Sequence, residues 1–222
     1  MTSDQTGLRV AGAWLAGASL LLVLALGFHG PLHPDLEVQM THIGESASRW
    51  VVVHWTAAAA LSCFAIAAVL VLVSRSRLTS TGKTISAWAV VLVGALWTLT
   101  TAVTEATVIA DLAASRDLAQ FEAWWSFAEG HGNGFSMLAV AVAVIAWNEY
   151  PNPHRLLPKW SAGVNAGAGL ASFAGWALGV WLDVGPANLL WLLASGVMCV
   201  WLAWFGTVLA RTSDFNEADA RG

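Results

Sequence analysis

Six long apolar runs alternate with short polar segments along the chain. They cover residues 10–29, 50–74, 86–112, a part of 124–148, 160–182 and 187–210. Each is close to the roughly 20 residues that an α-helix needs to cross a bilayer core of about 30 Å. The pattern therefore predicts an all-α fold, a polytopic transmembrane helical bundle of six spans.

The composition agrees with this prediction. Of the 222 residues, 57% are hydrophobic and 11% are charged, against about 25% charged residues in a typical soluble domain. The net charge of −4 is small and spread along the chain, which argues against nucleic acid as a partner. The expected partner is the lipid bilayer, and a homo-oligomer or a larger membrane complex is left open.

The charges of the connecting segments predict the orientation. Basic residues concentrate in two connections and at the start of the tail: Arg75, Arg77, Lys83, Arg155, Lys159 and Arg211. The alternate connections are rich in acids: Asp35, Glu37, Glu45, Asp117, Glu122 and Asp183. Because Lys and Arg stay on the cytoplasmic side, we expect a multi-pass protein of the cell (plasma) membrane with both termini cytoplasmic.

This orientation divides the chain into three parts. Residues 1–9 form a short cytoplasmic N-terminus, residues 10–210 the six-helix transmembrane domain, and residues 211–222 a polar cytoplasmic tail. The use of eight Arg against two Lys, with abundant Ala, is typical of a GC-rich prokaryotic genome. Tryptophans such as Trp50 and Trp191 fall near predicted span ends, and we interpret them as aromatic belts.

Small residues recur every four positions in the fifth span. They are Gly163, Gly167, Ala171, Gly175 and Gly179. Such a stripe lets helix backbones approach closely in lipid, so it predicts helix packing and a central place for this span. A groove for a flat cofactor is the alternative.

Ionisable residues gather near the predicted outer ends of the spans. They are His54, Glu105, Asp111, Glu129 and His131. An acid inside a span costs roughly 2.5–3.5 kcal/mol on insertion scales and is expected to face the bundle interior or water. The inner half of the spans has almost no ionisable group, so the pattern predicts one polar His/carboxylate site in the outer leaflet.

The third span carries threonines with helical periodicity. Thr100, Thr104, Thr107 and Asp111 follow a 4-3-4 spacing and therefore share one face. Glu105 lies about 100° around the helix from Thr104, and we expect it on the same polar half. The threonines can also bond back to their own backbone, as they often do in membrane helices.

The start of the fourth span is ambiguous. Gly130, Gly132 and Gly134 alternate beside His131, and each glycine costs about 1 kcal/mol in a helix interior. The span is therefore expected to begin near Gly130, after an interfacial helix over residues 115–129. The apolar side of that helix would carry Leu118, Phe121, Trp124 and Trp125.

Two groups of histidines are candidate ligands for a metal or a haem. His29, His33 and His42 lie among carboxylates in the first outer connection, and imidazole with carboxylate suits zinc, copper or iron. Pro31 and Pro34 break any regular helix there, so the spacing predicts no ligand face, and a polar loop is the simpler interpretation. His54 and His131 could instead ligate a haem b from both sides.

Several functions fit these residues. The first is binding or transport of a proton, a cation or a small solute at the outer-leaflet site. The alternatives are a membrane enzyme acting on a lipid-soluble substrate, an accessory subunit of a membrane complex, and a haem-b redox subunit. The sequence leaves open whether the protein is an enzyme and whether it carries haem b or a divalent metal.

Overall fold

A computed structural model describes residues 3–30, 32–74, 76–131, 134–182 and 184–212. These residues form helices and short connections, and no strand occurs among them. The α-helices are α1 (Ser3–His29), α2 (Leu36–Glu45), α3 (Ala47–Val73), α4 (Gly82–Thr104), α5 (Ala110–Ser115), α6 (Leu118–Trp125), α7 (Phe135–Glu149), α8 (Lys159–Trp176) and α9 (Pro186–Arg211). The prediction of an all-α fold is confirmed for this part of the chain.

Shorter helical pieces interrupt or join these helices. A 3₁₀ turn covers Arg77–Thr79, and three π-helical turns cover Glu105–Ile109, Ser126–His131 and Ala177–Trp181. The first and third π-turns continue α4 and α8, and the second continues α6. A π-turn inserts one extra residue into a helix and therefore rotates the side chains on either side of it.

The six long helices form a closed ring. α1 packs against α3, α3 against α4, α4 against α7, α7 against α8, α8 against α9, and α9 returns to α1. Successive members run in opposite directions, so both ends of the described chain lie at the same end of the ring. We call this the arginine end, after Arg77, and the opposite end the histidine end, after His29 and His54.

Within the described part of the chain, four helices are long and apolar enough to cross a membrane. They are Gln5–His29, Ala47–Val73, Gly82–Ser115 and Pro186–Arg211. α7 is apolar but shorter, with 15 residues, and α8 contains many Gly, Ser and Asn positions that lower its hydropathy. These findings indicate a membrane protein.

A cap of short helices covers the histidine end. α2, α5 and α6 pack against one another, and α2 and α5 also pack against α3. Their contact forms a second apolar core, separate from that of the ring: Met40, Ile43, Trp50, Ile109, Ala110, Ala113, Phe121 and Trp125. The cap places a folded layer between the ring interior and the surroundings of the histidine end.

The helix α2 corrects the expectation of an irregular loop after Pro31 and Pro34. Proline prevents helix formation only where its ring interrupts the hydrogen-bond ladder, and the first residue of the helix, Leu36, comes after both prolines in the sequence. Asp35 then serves as the N-cap, because its carboxylate accepts hydrogen bonds from the backbone N–H groups of Glu37 and Val38.

A break precedes the fourth long helix as predicted, but this helix begins at Phe135 rather than near Gly130. α6 and its π-turn end at His131, and α7 begins at Phe135. Only part of the predicted apolar side of α6 is buried. Phe121 and Trp125 are buried in the cap, whereas Leu118 and Trp124 are exposed.

The glycine stripe of α8 does not act as one packing face. A side chain on Gly175 would clash with the backbone of Trp191 on α9, whereas Gly167 has open space around it. A Cβ atom added to Gly169, outside the stripe, would lie 2.6 Å from the carbonyl oxygen of Ala139, so the close approach to α7 is made there. α8 is therefore one of six ring members and not a central helix, because its small residues face two different neighbours.

The other members of the stripe have separate neighbours. Gly163 lies beside the ring of Tyr150, and Gly179 lies beside the side chain of Asn188. Ala171 is half-buried. A four-residue spacing advances about 40° per step around a helix, so five members of such a stripe cannot all face one partner.

Candidate metal centre at the histidine end

A histidine and a glutamate pair inside the ring at the histidine end. His54 lies two turns into α3, and Glu105 is the first residue of the π-turn that continues α4. His54 Nε2 and Glu105 Oε2 are 2.7 Å apart, and the two residues are only 4% and 2% exposed. The sequence prediction of a polar site containing His54 and Glu105 thus corresponds to a direct contact.

The hydrogen bonds of His54 define its tautomer. Nδ1 lies 2.8 Å from the backbone carbonyl oxygen of Trp50. A carbonyl oxygen only accepts, so Nδ1 carries a proton and donates it. His54 Nε2 and Glu105 Oε2 then share a single proton. If the proton is on Nε2, the two side chains form an ion pair, and if it is on Oε2, they form a neutral pair.

The π-turn and Trp50 fix the position of Glu105. The backbone carbonyl oxygen of Glu105 accepts a hydrogen bond from the indole Nε1 of Trp50, at 3.1 Å. The Trp50 ring also lies against the His54 ring, with centroids 4.3 Å apart. Trp50 therefore holds both members of the pair, and it links them to the cap core to which it belongs. π-turns of this kind frequently occur at functional sites.

His29 completes a three-residue cluster. It is the last residue of α1, and its ring centroid lies 5.1 Å from those of His54 and Trp50. His29 Nδ1 donates to the carbonyl oxygen of Gly30 at 2.8 Å, which leaves Nε2 as its lone-pair nitrogen. One donor atom from each of His29, His54 and Glu105 lies within 4.8 Å of the other two.

A cavity of about 70 Å³ adjoins the cluster, and all three residues line it. Every member of the ring contributes to its wall. The remaining lining residues are mostly apolar: Leu22, Ala25, Leu26, Val53, Ala57, Leu61, Thr98, Thr101, Ala102, Phe135, Trp176 and Trp191. The cluster thus borders a pocket with few polar groups other than its own.

The ring interior is filled between this cavity and the arginine end. Phe64, Leu138, Met198 and Cys199 are at most 1% exposed and belong to one continuous apolar core. Protein cores of this kind are packed as densely as organic crystals. Among the described residues, the core below the polar cluster is therefore mostly apolar, and its buried polar side chains on α8 and α9 are Ser161, Asn165, Ser172 and Ser195.

Three of the residues predicted for the site lie elsewhere or outside the described part. Asp111 is exposed on α5 and does not join the cluster. The side chains of Glu129 and His131 lie outside the described residues. Of the metal candidates in the first connection, His33 and His42 are exposed, with ring centroids 5.9 Å apart, whereas His29 belongs to the buried cluster.

The threonine face that was predicted to be the polar side of the third span does not point into the ring. Thr100, Thr104 and Thr107 bond back to the carbonyls of Trp97, Thr100 and Val103 and are exposed or half-buried. The inward face instead carries Thr98, Thr101 and Glu105. A threonine whose hydroxyl bonds to its own helix needs no polar surroundings, so the periodicity of the threonines did not mark the interior.

Sequence reasoning assigned Trp50 and Trp191 to aromatic belts, and both belong to the site. Trp191 lines the cavity with its ring centroid 6.3 Å from that of His29. The signal available in the sequence was the antiparallel order of neighbouring helices. The end of α1 must lie near the start of α3, which brings His29 toward Trp50 and His54.

No protein-family model, curated protein or solved structure matches this chain. Its function is therefore inferred from the geometry of the site.

Proposed function

We propose that this chain is a six-span protein of the cell membrane that binds one divalent transition-metal ion through His29, His54 and Glu105. The observation that carries the proposal is the convergence of three donor atoms within 4.8 Å inside the bundle. Two imidazoles and one carboxylate suit zinc and iron and leave coordination positions open. The bound ion would replace the proton that His54 and Glu105 share.

The hydrogen bonds behind the donor atoms support metal binding. A histidine that ligates a metal almost always donates its other ring N–H to a carbonyl or a carboxylate. His29 and His54 both do so, to the carbonyl oxygens of Gly30 and Trp50. Each ring is therefore oriented through its Nδ1 atom before an ion arrives.

The exposed surface supports six spans rather than four. α7 and α8 present large apolar side chains outward, among them Val144, Val164 and Leu170, which are 36%, 53% and 56% exposed. Their places in the closed ring require them to cross together with their neighbours. Six spans put the basic connections and both termini on the cytoplasmic side, and the metal site then lies in the outer leaflet.

Binding fits the geometry better than transport does. A route across the membrane needs polar groups or water on both sides of the site, and the core around Phe64 and Met198 closes the arginine side. The haem-b alternative has less support, because Glu105 engages His54 Nε2 and a cavity of about 70 Å³ is far smaller than a porphyrin.

The proposal is tested by metal titration of the protein purified in mild detergent. The protein is stripped with a chelator and titrated separately with Zn²⁺, Co²⁺ and, without oxygen, Fe²⁺. We expect one ion per chain, and a visible Co²⁺ spectrum that reports nitrogen and oxygen ligands. His29→Ala, His54→Ala and Glu105→Gln should each abolish stoichiometric binding.

Matched controls come from the exposed histidines and acid near the same end. His33→Ala, His42→Ala and Asp111→Asn should keep one ion per chain, since these side chains lie outside the cluster. Unchanged binding in all three cluster variants would refute the proposal. Loss of binding in the His33 and His42 variants would move the site to the first connection.

A further inference from the structure

We infer that the cavity beside the cluster binds a small neutral molecule, of the size of a diatomic gas, as an additional ligand of a ferrous ion held by His29, His54 and Glu105. This inference rests on the proposed metal site. It deepens that proposal by naming the ion and the class of ligand that the site takes.

The proposed ion would have open coordination positions that face the cavity. Three protein ligands leave a four- to six-coordinate ion with at least one vacant position. All three ligand residues line the same cavity, so an exogenous ligand of the ion would occupy that space. Two histidines and one carboxylate with open positions are the ligand set of ferrous centres that bind oxygen.

The volume of the cavity limits the size of the ligand. The cavity measures about 70 Å³. By the same measure a water needs about 10–15 Å³, and an engineered apolar cavity of about 150 Å³ accommodates benzene or xenon. The space at this site therefore suits a molecule of two or three heavy atoms better than a ring compound.

The polarity of the cavity wall favours a neutral ligand. Ala25, Val53, Ala57 and Leu61 form much of the wall, and the hydroxyl of Thr98 is bonded to the carbonyl oxygen of Gly94 at 2.7 Å. Waters in a buried site need two to four polar partners, and apolar cavities remain dry. A neutral apolar molecule loses little hydration on entry, so these walls favour it over a hydrated anion.

Nitric oxide is the probe for this inference. Its nitrogen forms a bond to the ferrous ion while a bound water leaves, so the step needs no external oxidant or reductant. The protein in detergent is loaded with Fe²⁺ without oxygen, its iron content is measured, and nitric oxide is titrated in. We expect one ferrous–nitrosyl species per chain, with the electron paramagnetic resonance signal of a spin-3/2 centre.

A cavity-filling variant separates the gas pocket from the metal site. Ala57→Leu on α3 adds volume to the cavity wall and should weaken nitric oxide binding at least about tenfold while iron stays bound. Ala59 lies two residues away on the exposed side of α3. The Ala59→Leu protein is the control and should bind nitric oxide as the unmodified protein does. Ala25→Leu, on the α1 wall, repeats the test if Ala57→Leu does not fold.

The possible results are distinguishable. One bound iron without a nitrosyl signal overturns the gas-binding inference and leaves the metal proposal standing. Equal nitric oxide affinity in an iron-loaded, folded Ala57→Leu or Ala25→Leu protein also overturns the inference, because the ligand would then bind outside the cavity. Stoichiometric binding of Zn²⁺ or Co²⁺ without binding of Fe²⁺ overturns the gas-binding inference and leaves the metal proposal standing. Absence of stoichiometric binding of all three ions overturns both.

Discussion

The two ends of the ring each contain a buried glutamate paired with a basic residue. At the histidine end Glu105 meets His54, and at the arginine end Glu149 meets Arg77, with the same shortest distance of 2.7 Å. Glu149 also accepts a backbone hydrogen bond from Leu156 at 3.0 Å. The two pairs resemble each other in distance and burial but differ in their partners.

The two pairs differ in the base that faces the glutamate, which is arginine at one end and histidine at the other. Arginine stays protonated at any ordinary pH and holds a carboxylate in a two-pronged, fixed geometry. Arg77 makes such a contact through both terminal nitrogens and joins the turn after α3 to the end of α7. Histidine can give up its proton, so the pair at the other end can accept a metal ion in place of that proton.

The largest expected effect is a loss of metal affinity when the glutamate of the histidine end is changed. Glu105→Gln removes the anionic ligand, so metal affinity should fall by more than about 100-fold, beyond the loss typical for residues that only support a ligand. The amide can still donate to His54 Nε2, so we expect little change in thermal stability. Titration calorimetry and a thermal melt of the same preparation measure both quantities, and full metal affinity would remove the distinction between the ends.

The converse substitution tests the arginine end. Glu149→Gln leaves the guanidinium of Arg77 without its counter-charge and should reduce the free energy of unfolding by about 3 kcal/mol. Metal binding should not change, because the ring core separates the two ends. Denaturant unfolding in detergent measures the loss, and a matching loss of metal affinity would show that the two ends are coupled.

A smaller effect is expected for the residue that supports the histidine end. Trp50→Phe keeps the carbonyl that holds His54 but removes the N–H that donates to Glu105, so metal affinity should fall by about tenfold. Trp55→Phe, on the exposed side of the same helix, is the control. Equal affinities in the two variants would indicate that the π-turn holds Glu105 without help from Trp50.

The smallest effect concerns the geometry of the arginine pair. Arg77→Lys retains the charge but loses the two-pronged contact with Glu149, and should cost about 1 kcal/mol of unfolding free energy. The same unfolding assay as for Glu149→Gln measures it. A loss as large as that of Glu149→Gln would mean that the planar guanidinium matters more than the charge.

Much of the fold follows from local properties of the sequence. Apolar runs of about 20 residues form membrane helices because lipid offers no partner for an unpaired backbone, and five of the six predicted runs match long helices within a few residues. The start of α7 after the glycines was also predictable, since glycines weaken a helix wherever they occur. His54 and Glu105 could be named because a buried ionisable group in a membrane helix needs a partner.

Only the tertiary structure decided which residues meet. The π-turn at Glu105 depends on packing against α3 and changes the direction of a side chain by an amount that helical periodicity does not predict. In the ring, the end of α1 places His29 beside His54. His33 lies just before the cap helix α2 and His42 lies on it, and both side chains are exposed outside the site. The sequence by itself determined that polar groups lie near one end of an apolar bundle, because the cost of burying charge is local. Their assembly into one cluster depends on contacts between helices that are distant along the chain.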